Sequence, residues 1–149
     1  MTSAKLNSAS ETVLRLDLGA LSTFLDEAFP QAARPALGQL VAVEPGHTRI
    51  RLEPKPDMVR PGNIVSLPTL MGLVDFAAYA VVLAHVGPVA MAVTNSLNIS
   101  FLRACRLVPI VADARLLKLG RRLATIDVRL WQDRETRLIA QATVGYVLP

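Results

Sequence analysis

Cysteine, histidine and aromatic residues are all scarce in this sequence, and each scarcity removes a class of function. One cysteine, Cys105, in 149 residues excludes an internal disulfide and any multi-cysteine metal cluster, and fits a reducing compartment. Its simplest reading is a small buried hydrophobe. The two histidines, His47 and His85, fall in a turn and in the last turn of a long helix, with no partner at ligand spacing, so no metal site is expected. Aromatic residues make up 5% of the chain and the net charge is +4. The arginines and lysines are spread among strands instead of forming a basic helix or a basic and aromatic stripe, so nucleic acid is not an expected partner. A small polyanion held by a few arginines is a better match. The first thirty residues hold no unbroken apolar run, because Asp17, Gly19, Ser22, Thr23, Asp26 and Glu27 interrupt them. No leader is expected, and a cytoplasmic location follows.

Apolar residues are abundant: they form 52% of the sequence. A chain of this length reads as one domain, residues 1–149, with the polar start, residues 1–19, expected to be disordered in part. So high an apolar share in a small chain implies that sister subunits cover some of it. A homo-oligomer is expected.

The passage Arg60-Pro61-Gly62-Asn63-Ile64-Val65-Ser66-Leu67-Pro68 leads into a long apolar segment that runs to Val86 and stops at Gly87-Pro88. The spacing predicts a helix with Ser66 or Leu67 as cap and Pro68 in its first turn. Its length and greasiness admit a membrane span. Asp75 in the middle argues against one, as do the four polar-faced strands that follow. A lone carboxylate in an apolar rod needs a partner or a task, because desolvating its charged form is costly.

Around that helix the sequence predicts an amphipathic helix over 20–29, ending before Pro30 and lying on a surface or over a pocket. Strands are predicted over 40–44 and 48–53, joined as a hairpin by Pro45-Gly46, and a loop over the proline-rich run 54–62. Four further strands span 90–102, 110–119, 123–131 and 138–147. Alternation is cleanest in the third, with Ala124, Ile126, Val128 and Leu130 on one face. A helix apolar on all sides must be covered on all sides, and a curved antiparallel sheet wrapping it does so economically. The fold class is α+β.

This order, together with the stretch RPGNIVSLPTLMGLVDFAAYAVVLAHVGPVAMAVTNSLNISFL, resembles the hotdog-fold acyl-CoA thioesterases of the PaaI-like group. The resemblance covers nearly the whole chain after Ala20. In that family a His-Gly-Gly opening of the helix is followed eight or nine residues later by a catalytic acid. Here Ser66-Leu67-Pro68 stands at the opening and Asp75 at the acid, so only the acid is kept. The resemblance implies an acyl-CoA thioester as substrate, release of free acid and coenzyme A without a cofactor, and a dimer or dimer of dimers. It also implies a pocket at the dimer interface, with the helix opening from one subunit and the acid from the other.

Thioester hydrolysis needs a carboxylate that attacks or activates water, and donors aimed at the developing oxyanion. Asp75 can be the first. The backbone N–H of Leu67, at the positive end of the helix, can be the second, whereas Pro68 has none to give. Eight helical residues separate them, about 12 Å, too far for one acyl carbon to meet both within one chain. By resemblance Thr94 orients the water or the acid; its simpler reading is a strand-pairing threonine. Asn63 could hold a thioester oxygen or merely form a turn, and the motif asparagine of the family aligns with Arg60. Ser66 reads as a cap, with no base beside it for a nucleophile. Tyr79 and Phe76 could shape an acyl pocket or be plain core. Arg103, Lys118, Arg121 and Arg122 could hold coenzyme A phosphates or be solvated charge. Asp75 itself could be a buried acid satisfied structurally. The alternative to hydrolysis is a non-catalytic module binding an acyl or aromatic ligand, favoured by the missing glycines. A dehydratase of the same fold lacks its expected Asp and His pair.

Overall fold

The computed structural model describes residues 13–149. The expectation of disorder for residues 1–12 lies outside the described residues. Arg15 and Leu16 tie the start of the described chain down: their backbone N–H groups donate to the carbonyl of Ala84 at 2.8 and 3.2 Å. Helix α1 (Leu18–Ala28) begins two residues before the predicted start because Asp17 caps it, accepting from the Ala20 N–H at 2.8 Å. Leu21 and Leu25, on one face, are buried.

Strands β1 (Gln39–Glu44) and β2 (His47–Leu52) form the predicted hairpin around Pro45-Gly46. His47 is not in the turn as expected; it opens β2. The proline-rich loop holds more order than its composition suggests. A 3-10 turn (Pro56–Met58) is followed by β3 (Val59–Arg60) and β4 (Ile64–Val65), which pair antiparallel. Proline cannot donate to a ladder, but Pro61 lies in the turn between the two strands, where no ladder bond is required. Gly62 and Asn63 supply the positive φ that this turn needs, 99° and 56°.

Helix α2 (Leu67–Val86) is the core of the molecule, with Leu70, Leu73, Val74 and every residue from Phe76 to His85 buried. It is long and apolar enough to cross a bilayer, yet two-thirds of its most apolar window is covered by the rest of the fold. Strand β5 (Val93–Phe101) starts later than predicted because residues 88–92 form a turn closed by Ala92 N–H to Val89 carbonyl, 3.2 Å. Strands β6 (Ile110–Leu119), β7 (Leu123–Trp131) and β8 (Leu138–Val147) match the predicted boundaries. They complete one antiparallel sheet in the order β1-β2-β6-β7-β8-β5, and α2 packs on the face where Ala124, Ile126, Val128 and Leu130 point. This is a hotdog fold.

Candidate functional site

Asp75 is half-buried on α2 and faces a cavity of about 420 Å³ bounded by α1, α2, the 88–92 turn, β5 and β8. The hydroxyl of Thr94 on β5 donates to Asp75 Oδ1 at 2.5 Å, and that of Tyr146 on β8 donates to the same oxygen at 2.8 Å. Tyr146 also lies 3.1 Å from the Asp75 carbonyl oxygen. Oδ2 has no partner among the described residues. The rest of the wall is apolar: Ala28, Phe29, Leu37, Phe76 and Tyr79. Phe29 packs edge-on against Phe76 and Tyr79, with centroids 5.3 and 5.7 Å apart. Of the two placements expected for α1, on a surface or over a pocket, its C-terminal end at Ala28 and Phe29 takes the second.

Thr94 faces Asp75 because of a break in strand alternation. Leu97 lies opposite Val144 and Ile99 opposite Ala142, whereas Thr94 lies opposite Tyr146, with the register shifting between Thr94 and Ser96. Strict alternation from Leu97 would point residue 95 at the helix. The bulge reverses the parity, and Gly145 accommodates it: a Cβ there would come within 2.7 Å of Asn95 Oδ1.

Of the residues singled out by sequence, this cavity brings together Asp75, Thr94, Phe76 and Tyr79. Tyr79 does not reach the carboxylate; its hydroxyl donates to the Ala90 carbonyl at 3.1 Å and its ring forms wall. Burial raises the pKa of both tyrosines, and for Tyr146 the negative charge of Asp75 adds to the effect. Both remain protonated donors at neutral pH. Leu67, Ser66, Asn63 and Arg60 lie at or before the α2 opening, away from this cavity in the same chain. Ser66 occupies the cap position, but its hydroxyl meets Thr69 Oγ1 at 2.9 Å instead of a backbone amide. Asn63 forms the β3–β4 turn and Arg60 is exposed.

The cationic candidates separate into two groups. Arg103 donates to the Leu138 carbonyl at 2.7 Å and lines a surface cavity with Arg106 and Arg137. Lys118, Arg121 and Arg122 line another with Leu123 and Val147. These cavities adjoin opposite ends of β8, whose ten residues span roughly 30 Å. The second is at the Tyr146 end.

Sequence reasoning missed Tyr146, Phe29 and Leu37. Tyr146 had a signal: it is the one hydroxyl-bearing side chain in the inward row Ala140, Ala142, Val144, Tyr146. A second polar cluster was also missed. Asp113 on β6 is buried, accepting from Arg49 at 2.7 and 3.1 Å and from Trp131 Nε1 at 2.7 Å, with His47 Nε2 at 2.7 Å. Burial would raise its pKa, but these hydrogen bonds and the Arg49 charge outweigh that and hold it below the usual value.

A sequence profile described as the thioesterase superfamily matches residues 62–139. Among solved structures, a protein of Silicibacter sp. TM1040 assigned as a thioesterase is 36% identical, with a TM-score of 0.83 over 93% of this chain and 96% of that one. A phenylacetic acid degradation-related protein of Ralstonia eutropha JMP134, also assigned as a thioesterase, is 25% identical with a TM-score of 0.74, over 84% and 98%. A hypothetical thioesterase of Streptococcus pneumoniae TIGR4, solved with coenzyme A, shares the fold at 18% identity and a TM-score of 0.67, over 74% and 84%. A search of the curated proteins finds no match to this chain.

Proposed function

The chain belongs to the thioesterase superfamily, and from that premise we propose that it hydrolyses an acyl or aryl thioester of coenzyme A as a homodimer. The observation that carries the reading is the Asp75 carboxylate in the wall of a largely apolar cavity, held by two hydroxyls on one oxygen and without a partner on the other among the described residues. Such a cavity suits the acyl group, and Oδ2 can either take a proton from water as it attacks the carbonyl or attack that carbon itself. Water supplies OH to the acid and H to the departing thiolate, which leaves as coenzyme A thiol. Thr94 aligns the carboxylate in either case.

The second copy supplies the oxyanion donor. The α2 opening is anchored beyond the far end of β5, where Val65 N–H donates to the Cys105 carbonyl at 2.8 Å, whereas Asp75 is anchored at the near end by Thr94. Strand β5 forms one edge of the sheet and hydrogen-bonds only β8. Antiparallel pairing of two β5 edges about Leu97 would set Val93 of one copy across from Phe101 of the other, side chains that are 55% and 39% exposed in the single chain. That pairing carries the Leu67 amide, and Arg103 with it, toward the Asp75 end of the second copy. Lys118, Arg121 and Arg122 then hold coenzyme A phosphates from the same chain as Asp75, with Arg103 contributing from the other. The fold relative solved with coenzyme A is consistent with this ligand.

One observation favours a binding module without turnover: Leu67, not glycine, stands at the helix opening, and its side chain is 46% exposed there. Thiol release from a panel of aliphatic and aromatic acyl-CoAs decides between the two. Hydrolysis should be abolished by Asp75→Asn; turnover unchanged in that variant refutes the assignment, and no turnover with any substrate, despite binding, establishes the module.

A further inference from the structure

We propose that Tyr146 is a positioning residue for Asp75, the second jaw of a two-hydroxyl clamp that fixes the plane of the carboxylate and keeps Oδ2 free for the reaction; this rests on the thioesterase reading above. Thr94 and Tyr146 are cross-strand partners on β5 and β8, and both aim at Oδ1. One hydrogen bond leaves a carboxylate free to turn about its Cβ–Cγ bond and present either oxygen. Two donors on one oxygen, from adjacent strands, remove that freedom. They also stabilise the charged form, which is the form that attacks or accepts a proton.

The phenol is suited to this role and not to proton transfer. It is 2% exposed, its ring lies 6.1 Å from that of Tyr79, and burial beside a negative charge keeps its proton in place. Asp75, Tyr79 and Tyr146 are the titratable residues among those lining the cavity. On the segment between α1 and β1, Arg34 stacks on Phe76 at 5.0 Å and pairs with Asp26.

Tyr146→Phe keeps the ring and deletes one donor to a charged group. The expected result is a fall of about tenfold in kcat with KM nearly unchanged. A residue serving only as packing would lower the melting temperature and leave kcat in place. Thiol release is measured for the native protein, Tyr146→Phe and Asp75→Asn, with thermal melts as the fold control. An unchanged kcat in Tyr146→Phe alongside an inactive Asp75→Asn overturns the clamp and leaves the thioesterase reading standing. An active Asp75→Asn, or a native protein that turns over no acyl-CoA, overturns both. If the phenylalanine variant does not fold, replacing tyrosine globally with 3-fluorotyrosine in a Tyr79→Phe background strengthens the same donor without removing it. Its kcat then differs from that of Tyr79→Phe carrying ordinary tyrosine; an equal kcat overturns the clamp.

Discussion

Replacing Gly72 with alanine should strengthen the fold and weaken the site. Gly72 lies three residues before Asp75, so both project from nearly the same side of α2. It lines the same cavity, and a Cβ built there meets no atom within 4 Å. Glycine in a helix interior costs about 1 kcal/mol relative to alanine, through backbone entropy, and no clash offsets the gain. In a chain of this size that corresponds to a rise of about 2–4 °C in Tm. The methyl narrows the cavity next to the carboxylate, and Gly72→Leu would fill much more of it. For the bulkiest accepted acyl group, KM should rise a few-fold in Gly72→Ala and by more than tenfold in Gly72→Leu, using about 0.8 kcal/mol per displaced methylene. Urea unfolding followed by circular dichroism gives the first quantity and thiol release the second. A Gly72→Ala protein less stable than its parent would refute the reasoning: the space beside Gly72 would then be occupied in solution, and the cavity smaller than described.

Asp113→Asn should lower stability by about 2–3 kcal/mol near neutral pH. It leaves the Arg49 charge without its partner, and the cost falls below that of a fully buried pair because Arg49 is one-third exposed. The pKa of Asp113 is depressed in the fold, so its contribution is present above the unfolded pKa of about 4 and is lost as pH falls through the folded value; the gap between parent and variant in urea should close below about pH 4. His85 accepts from the Gly46 N–H at 2.9 Å through Nε2 and donates through Nδ1 to the Val81 carbonyl at 2.8 Å, and burial lowers its pKa. The neutral ring is favoured by folding, so its contribution is full above the unfolded pKa of about 6.5 and declines as pH falls below it. His85→Gln should flatten the drop in urea midpoint between about pH 7.5 and pH 5.5; an equal drop in both proteins would refute this. Cys105 is buried and its thiol is pushed up to about 11, chiefly by burial. It should resist iodoacetamide near neutral pH until urea is added, read by mass spectrometry.

The boundaries of β6, β7 and β8 and the extent of α2 were legible because they follow from local periodicity. Ala124, Ile126, Val128 and Leu130 alternate in the sequence and turn inward together in β7, and α2 runs from the Ser66 cap to the Gly87 stop. The β3–β4 hairpin was hidden because two residues per strand carry no period, and its prolines read as a loop. Asp75 stood out by itself, one charge in an apolar rod.

The sequence by itself determined the two helices, the six strands of the main sheet, the all-round apolar character of the central helix and the acid within it, since each depends on residues a few positions apart. Only the tertiary structure decided what the acid touches. Tyr146 is 71 residues from Asp75 along the chain, and Thr94 reaches it through a bulge that reverses the strand's parity opposite Gly145. Alternation read along one strand cannot register a bulge, because the extra residue is defined by the pairing with its neighbour.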